Sequence, residues 1–293
     1  MPFLQVHVTL DGLDPETVET ALFATGALSV TLVDAGDTPI LEPLLGTTPL
    51  WPATAVSALY EEGTDATDLT AALGVQLGRT IQLRAETLAD RIWEREWLKD
   101  FHPMRFGERL WICPGGQLPP VGTTPEPTIV WLDPGLAFGT GTHATTALCL
   151  EWLDQERPTG RRVLDVGCGS GILAVAALLL GAHRAHGLDI DPQALTASTD
   201  NATRNGVLDR LTLAAAEAPW DTGYDVVLAN ILAEPLIELA PRIAQATRPG
   251  GAVVLAGLLT EQAEWVAAAY RPWFTMETPR ERDGWTRLSG RRL

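Results

Sequence analysis

Val163-Leu164-Asp165-Val166-Gly167-Cys168-Gly169-Ser170-Gly171 is an apolar strand that runs into a turn of three glycines. The apolar segment Ile172 to Leu180 follows at once and reads as a helix. Glycine lets a backbone turn tightly and approach a ligand closely. The start of the following helix offers N–H groups with no helical partner. A dinucleotide loop of the form G-x-G-x-x-G would carry its third glycine at position 172, which is Ile172 here. The spacing G-x-G-x-G therefore disfavours a pyrophosphate site and makes a dehydrogenase the weakest candidate.

Downstream, the rhythm is strand then helix. Strands are expected over 162–166, 185–189, 211–214, 225–229 and 252–256, with helices over 144–153, 172–180, 192–205, 235–246 and 261–269. Pro241 is expected to kink or split the fourth of these helices. Such alternation makes a parallel, doubly wound α/β sheet. The tail, Trp273 to Arg287, reads as a closing strand pair. Asp189 lies 22 residues after Gly167, in Gly187-Leu188-Asp189-Ile190-Asp191-Pro192. An acid at the end of a second strand can accept two ribose hydroxyls. Asp191 precedes Pro192 and reads as a helix N-cap, which leaves Asp189 as the ribose ligand. Asp225-Val226-Val227-Leu228-Ala229-Asn230 is a buried strand ending in one polar side chain. Ligands of parallel sheets bind beyond the strands' carboxyl ends. Asn230 is thus expected at the same crevice, where its amide carbonyl could accept a hydrogen bond from an amine.

The first 85 residues read differently. Leu4, Val6, Val8 and Leu10 alternate with polar residues as a half-buried strand does. Asp14-Pro15 opens a helix that Gly26 ends. Strands follow at Leu28–Val33, Thr54–Leu59 and Thr80–Ala85, with a helix over Asp65–Leu73 between the last two. The order β-α-β-β-α-β is that of a ferredoxin-like α+β unit. Residues 86–107 form a connector containing Trp93-Glu94-Arg95-Glu96-Trp97, expected to hold a helix. Strands then fit Arg109–Cys113 and Thr128–Leu132.

The chain holds 37 Asp and Glu against 21 Lys and Arg, a net −16. Residues 1–85 carry 11 acids and two bases, which is −9; the other 208 carry 26 and 19, which is −7. A broad nucleic-acid footprint is disfavoured, because phosphate binding rests on Lys and Arg. Cys113, Cys149 and Cys168 form no C-x-x-C, so neither a disulfide scaffold nor a zinc ribbon is expected. Cys168 reads as a small residue fitting the glycine turn. His183 and His186 lack a third metal ligand, so no metal is expected. No basic n-region or membrane-length apolar run occurs, and a soluble cytoplasmic protein is expected.

Upstream of the first sheet helix lies Asp133-Pro134-Gly135-Leu136-Ala137-Phe138-Gly139-Thr140-Gly141-Thr142-His143-Ala144-Thr145-Thr146. The glycine turn resembles motif I of class I S-adenosylmethionine-dependent methyltransferases. The stretch Phe138–His143, the later Asn230-Ile231-Leu232, the connector Trp93–Trp97 and the segment Phe101–Pro114 together resemble the ribosomal protein L11 methyltransferase family. The likeness runs through essentially the whole chain in order, with Ala144 where that family usually has Pro.

The resemblance implies a ferredoxin-like substrate-recognition domain over 1–85 and a linker helix over 86–107. It implies a Rossmann-like class I methyltransferase domain over 108–293. It further implies S-adenosyl-L-methionine contacts at Thr145, Gly167, Asp189 and Asn230. Gly169, Gly171 and Thr142 complete the expected cofactor set, while His143 is open between ligand contact and loop ordering. The implied reaction is methyl transfer to lysine side-chain and N-terminal amines of ribosomal protein L11, with Asn230 orienting the amine. No membrane and no sequence-specific nucleic acid is expected among its partners. The alternatives are an enzyme of the same fold acting on a small molecule or RNA, and a cofactor-binding module without catalysis.

Overall fold

The computed structural model describes residues 2–10, 12–36, 49–88, 102–123, 125–132 and 143–293. The chain divides into two compact units, Met1–Glu96 and Trp97–Leu293.

The first unit is β1 (Phe3–Thr9), α1 (Pro15–Ala24), β2 (Ser29–Asp34), β3 (Thr54–Glu61), α2 (Ala66–Leu77) and β4 (Leu83–Leu88). Its sheet runs β2-β3-β1-β4 with every neighbour antiparallel. This is the expected ferredoxin-like order. Asp14 starts α1 by accepting the Thr17 N–H at 3.0 Å, with Pro15 at the first helical position. Asp65 starts α2 in the same way, accepting from Thr67 and Asp68. Val6, Val8, Val18, Leu22, Val56 and Leu73 fill the core. The last strand lies three residues beyond the expected start. Its ladder to β1 pairs Val8 with Leu83 and Phe3 with Leu88, while Ile81 enters the core ahead of the strand.

In the second unit β5 (Met104–Phe106), β6 (Leu110–Cys113) and β7 (Thr128–Trp131) make a small three-stranded sheet. Of the span expected as a linker helix, residues 86–88 belong to β4 and 104–106 to β5, and 89–101 lie outside the described residues. Phe106 is buried and Arg105 exposed, so a period of two holds here although the stretch is too short to announce it. The turn after β5 is gripped by buried Asp154 of α3 (Ala144–Glu156), which accepts N–H groups from Glu108 and Leu110 at 2.6 and 3.0 Å.

The remaining elements build the main sheet. They are β8 (Arg162–Val166), α4 (Ile172–Leu179), β9 (Arg184–Asp189), α5 (Pro192–Arg204), β10 (Leu211–Ala215), β11 (Tyr224–Asn230), α6 (Ala233–Ala246), β12 (Thr247–Leu259), α7 (Ala263–Tyr270), β13 (Phe274–Met276), β14 (Arg280–Arg282) and β15 (Trp285–Arg292). The order is β10-β9-β8-β11-β12-β15-β13, with β14 paired to β15. The first five strands are parallel and β15 runs against β12. The chain progresses outward from β8 on one side and from β11 on the other. A crevice between the carboxyl ends of β8 and β11 is therefore the topological switch point. The tail forms three strands rather than a pair. Pro241 does not split α6, which runs unbroken through it. Its ring faces solvent, where water can satisfy the carbonyl it leaves unbonded, while Ala240, Ile243 and Ala244 stay in the core. Among the described residues no helix is long and apolar enough to cross a membrane.

Candidate active site

β8 delivers Gly167 to the switch point with φ +71, a left-handed conformation natural to glycine. A Cβ there would lie 2.3 Å from Cγ2 of Ile231, the residue just after β11. The Gly167 and Cys168 N–H groups both donate to the Leu188 carbonyl, at 2.8 and 3.0 Å. Gly171 also has positive φ and forms the N-cap of α4 without a side-chain cap. A Cβ at Gly171 would meet Ser198 Oγ at 2.7 Å. Ser198 and Asn201 of α5 hold the turn from outside, donating to the carbonyls of Gly169 (2.9 Å) and Ser170 (2.8 Å). Gly167 and Gly171 thus serve close packing of a turn that is bonded from both neighbouring elements.

Asp189 sits half-buried at the end of β9. It accepts the Gly169 N–H through Oδ2 at 2.8 Å and the Asp191 N–H through Oδ1 at 3.0 Å. Asp191 has the capping role expected of it. Asp191 caps α5 by accepting the Gln193 N–H at 2.8 Å, with Pro192 following. Asp165, inside β8, is 1% exposed. One of its oxygens accepts the Ala174 N–H at 3.1 Å, and the other is buried without a hydrogen-bond partner. Burial pushes this carboxyl up to about 7, against the Ala174 bond and with help from the Asp189 charge.

Asn230 ends β11. Its Nδ2 donates to Thr146 Oγ1 at 3.3 Å. That bond turns the amide so that its carbonyl oxygen is left for another donor. Thr146 is the neighbour of Thr145, which is buried in the first turn of α3. His143 is the N-cap of that helix. Its Nδ1 lies 2.8 Å from Thr145 Oγ1 and accepts the Thr145 N–H at 3.4 Å, and its ring meets Trp285 edge-on at 4.7 Å. Burial holds the His143 pKa below its ordinary value. These contacts make His143 the cap of α3, and the loop 133–142 that it was expected either to order or to join in ligand contact lies outside the described residues.

Gly167, Gly169, Gly171, Asp189 and Asn230 therefore converge at one crevice, with Thr145 beside Asn230's partner on α3. Thr142 lies outside the described residues, as does the rest of 133–142. Thr146, Ile231, Ser198 and Asn201 were not singled out from sequence. Each meets the site element it holds across 27 positions or more: Ser198 reaches Gly171 and Gly169, Asn201 reaches Ser170, Thr146 reaches Asn230 and Ile231 reaches Gly167. Cys168 is buried and its thiol is pushed up to about 12, a poor state for a nucleophile. Among the described residues no cluster of His, Cys, Asp and Glu could hold a metal ion.

A family model described as ribosomal protein L11 methyltransferase (PrmA) matches residues 2–293. A relative named "Ribosomal protein L11 methyltransferase" from Pseudomonas aeruginosa (strain LESB58) is 54% identical over 295 residues, spanning 100% of this chain and 99% of that protein. One of the same name from Hahella chejuensis is 52% identical over 293 residues, with 100% and 99% covered. A crystal structure described as ribosomal protein L11 methylase from Lactobacillus delbrueckii subsp. bulgaricus superposes with a TM-score of 0.59 at 33% identity, over 66% of this chain and 99% of that one.

Proposed function

The chain belongs to the ribosomal protein L11 methyltransferase family, and from that premise we propose that it methylates lysine side-chain and N-terminal amines of ribosomal protein L11 with S-adenosyl-L-methionine. The cofactor, when bound, supplies an electrophilic methyl group on a sulfonium. The chemistry of the crevice fits such a group. The glycine turn closes tightly against Ile231 and Ser198 at the end of β8, and beside it Asp189 carries carboxylate oxygens that could accept ribose hydroxyls. In this reading Gly167, Gly169, Gly171, Asp189, Thr145, Thr142 and Asn230 hold the cofactor.

The observation that carries the reading is the orientation of Asn230. With Nδ2 committed to Thr146, the carbonyl oxygen can accept an N–H of the substrate amine and aim its lone pair. A free lysine, with a pKa of roughly 10.4, arrives protonated. Entry into a desolvated crevice disfavours the ammonium, so the proton leaves to solvent before transfer. Asn230 stays neutral throughout and acts by orientation.

The acid on residues 1–85 suits a basic protein substrate. Those residues form the substrate-recognition domain in this reading, 86–107 the linker and 108–293 the catalytic domain. The enzyme works in the cytoplasm, with neither a membrane nor specific nucleic acid as partner. Mass spectrometry of ribosomal protein L11 after incubation with the chain and S-adenosylmethionine tests the proposal. Methyl increments on lysine and N-terminal peptides are expected. An unmodified protein, with label entering ribosomal RNA or small molecules instead, would overturn it.

A further inference from the structure

Two strand ends of the main sheet leave by junctions of the same form. At β9 the chain reads Asp189-Ile190-Asp191 and at β11 it reads Asn230-Ile231-Leu232, with the third residue in each case the N-cap of the next helix. Asp191 does what an N-cap residue ordinarily does and accepts a backbone N–H of α5. Leu232 has the same extended backbone (φ −61, ψ 158) yet caps nothing, and it stands 53% exposed. A single exposed leucine is ordinary. One placed where Asp, Asn or Ser would stabilise the helix gives up a cap and gains no burial. Local rules broken without compensation in the fold concentrate at functional positions.

The backbone presenting Leu232 is also fixed. Ile231 Cγ2 lies beneath Gly167, and the Ile231 carbonyl presses on Gly257, where a Cβ would lie 2.4 Å from its oxygen. Gly257 has φ +86. Leu232 is therefore held on a clamped segment two residues from the Asn230 amide.

We propose that Leu232 is a positioning and specificity residue that packs against the methylene stem of a substrate lysine, selecting lysine ε-amines over the stemless N-terminal α-amine. The inference rests on the methyltransferase reading. An ε-amine arrives on four methylenes, and each methylene lost from an apolar contact weakens binding by a definite factor. An α-amine brings no such stem.

The test uses the full chain with ribosomal protein L11 and S-adenosylmethionine, and reads lysine and N-terminal products separately by peptide mass spectrometry. For Leu232→Ala and Leu232→Asn, kcat/KM for lysine should fall about four- to fifteenfold, the factor for one or two methylenes, chiefly through KM. The α-amine should change by less than about twofold, and Leu232→Met should restore lysine turnover. S-adenosylhomocysteine affinity should be unchanged. Leu232→Asn should raise Tm by about 2 to 4 °C, because it restores the cap. Equal losses on both amines, no loss on either, or a fall in cofactor affinity would overturn the inference alone. A wild-type chain that labels neither amine would overturn the methyltransferase reading and this inference with it.

Discussion

Replacing Gly167 by alanine isolates the clamp that joins the glycine turn to the end of β11. Two costs apply. At φ +71 the new residue occupies the left-handed region, which disfavours an L side chain by about 1 to 2 kcal/mol. Its Cβ also lies 2.3 Å from Ile231 Cγ2, more than 1 Å inside ordinary carbon contact of roughly 3.5 to 4.0 Å. Ile231 has little room to retreat, since its own backbone bears on Gly257. Overpacking of this kind costs about 1 to 3 kcal/mol. The sum, about 2 to 5 kcal/mol, should lower Tm by roughly 5 to 15 °C, read by calorimetry on the unit holding Trp97–Leu293. S-adenosylhomocysteine affinity should fall with it, by about tenfold or more, because the turn and Asn230 move together. The steric part has its own test. Ile231→Ala removes Cγ2, so adding it to Gly167→Ala should return about 1 to 3 kcal/mol relative to additivity, while the left-handed cost persists. Additive losses, or a Gly167→Ala chain within 2 °C of wild type, would refute the clamp.

Three further outcomes follow from the same crevice. Burial raises the Asp165 carboxyl from 3.8 to about 7, so ionising it opposes folding. That penalty is absent below pH 4, grows as pH rises through the interval and is full above about 7, with a limit near (7 − 3.8) × 1.36, about 4 kcal/mol. Asp165→Asn should accordingly gain stability over wild type as pH rises from 5 to 8, and a pH-independent difference in Tm would remove this account. Thr146→Val takes away the partner of Asn230 Nδ2, so kcat should drop about three- to tenfold, while Thr146→Ser stays near wild type; unchanged kcat in the valine variant speaks against amide orientation. Asp189→Ala removes an acceptor that also holds the Gly169 and Asp191 N–H groups. Calorimetry should show S-adenosylhomocysteine binding about 10- to 100-fold weaker, and normal affinity would sink the ribose assignment.

Where local chemistry decides an element, the sequence is sufficient. Asp14-Pro15 and Asp191-Pro192 place helix starts to the residue, because the N-cap bond spans two or three positions and is fixed by helix geometry. The ferredoxin-like order and the parallel sheet follow from strongly periodic segments. Elements defined by distant partners are less legible. β4 is set by its ladder to β1, some 80 positions away, and β5 by pairing with β6 around a turn that Asp154 grips from α3. Pro241 misleads for a related reason. Its cost depends on whether the broken bond faces water or the core, and only the packing of α6 tells which.

The same division runs through the site. Motif spacing points to Gly167, Asp189 and Asn230, because each stands at a strand end, and strand ends are readable from hydrophobic runs. What fixes the aim of those residues is not readable in that way. Thr146 reaches Asn230 across 84 positions, and Ile231 meets Gly167 across 64. An asparagine at a strand end is ambiguous as a sequence feature, since its amide can point either way at similar cost. The threonine removes the ambiguity by taking the N–H end, and the close approach of Gly167 to the Ile231 side chain and of Gly257 to its backbone removes the remaining freedom. Recognition residues are thus visible as types at positions, while their orientation is a property of pairs. A change at Thr146 or Gly257 should therefore impair amine transfer as effectively as a change at Asn230, although no motif would draw attention to either.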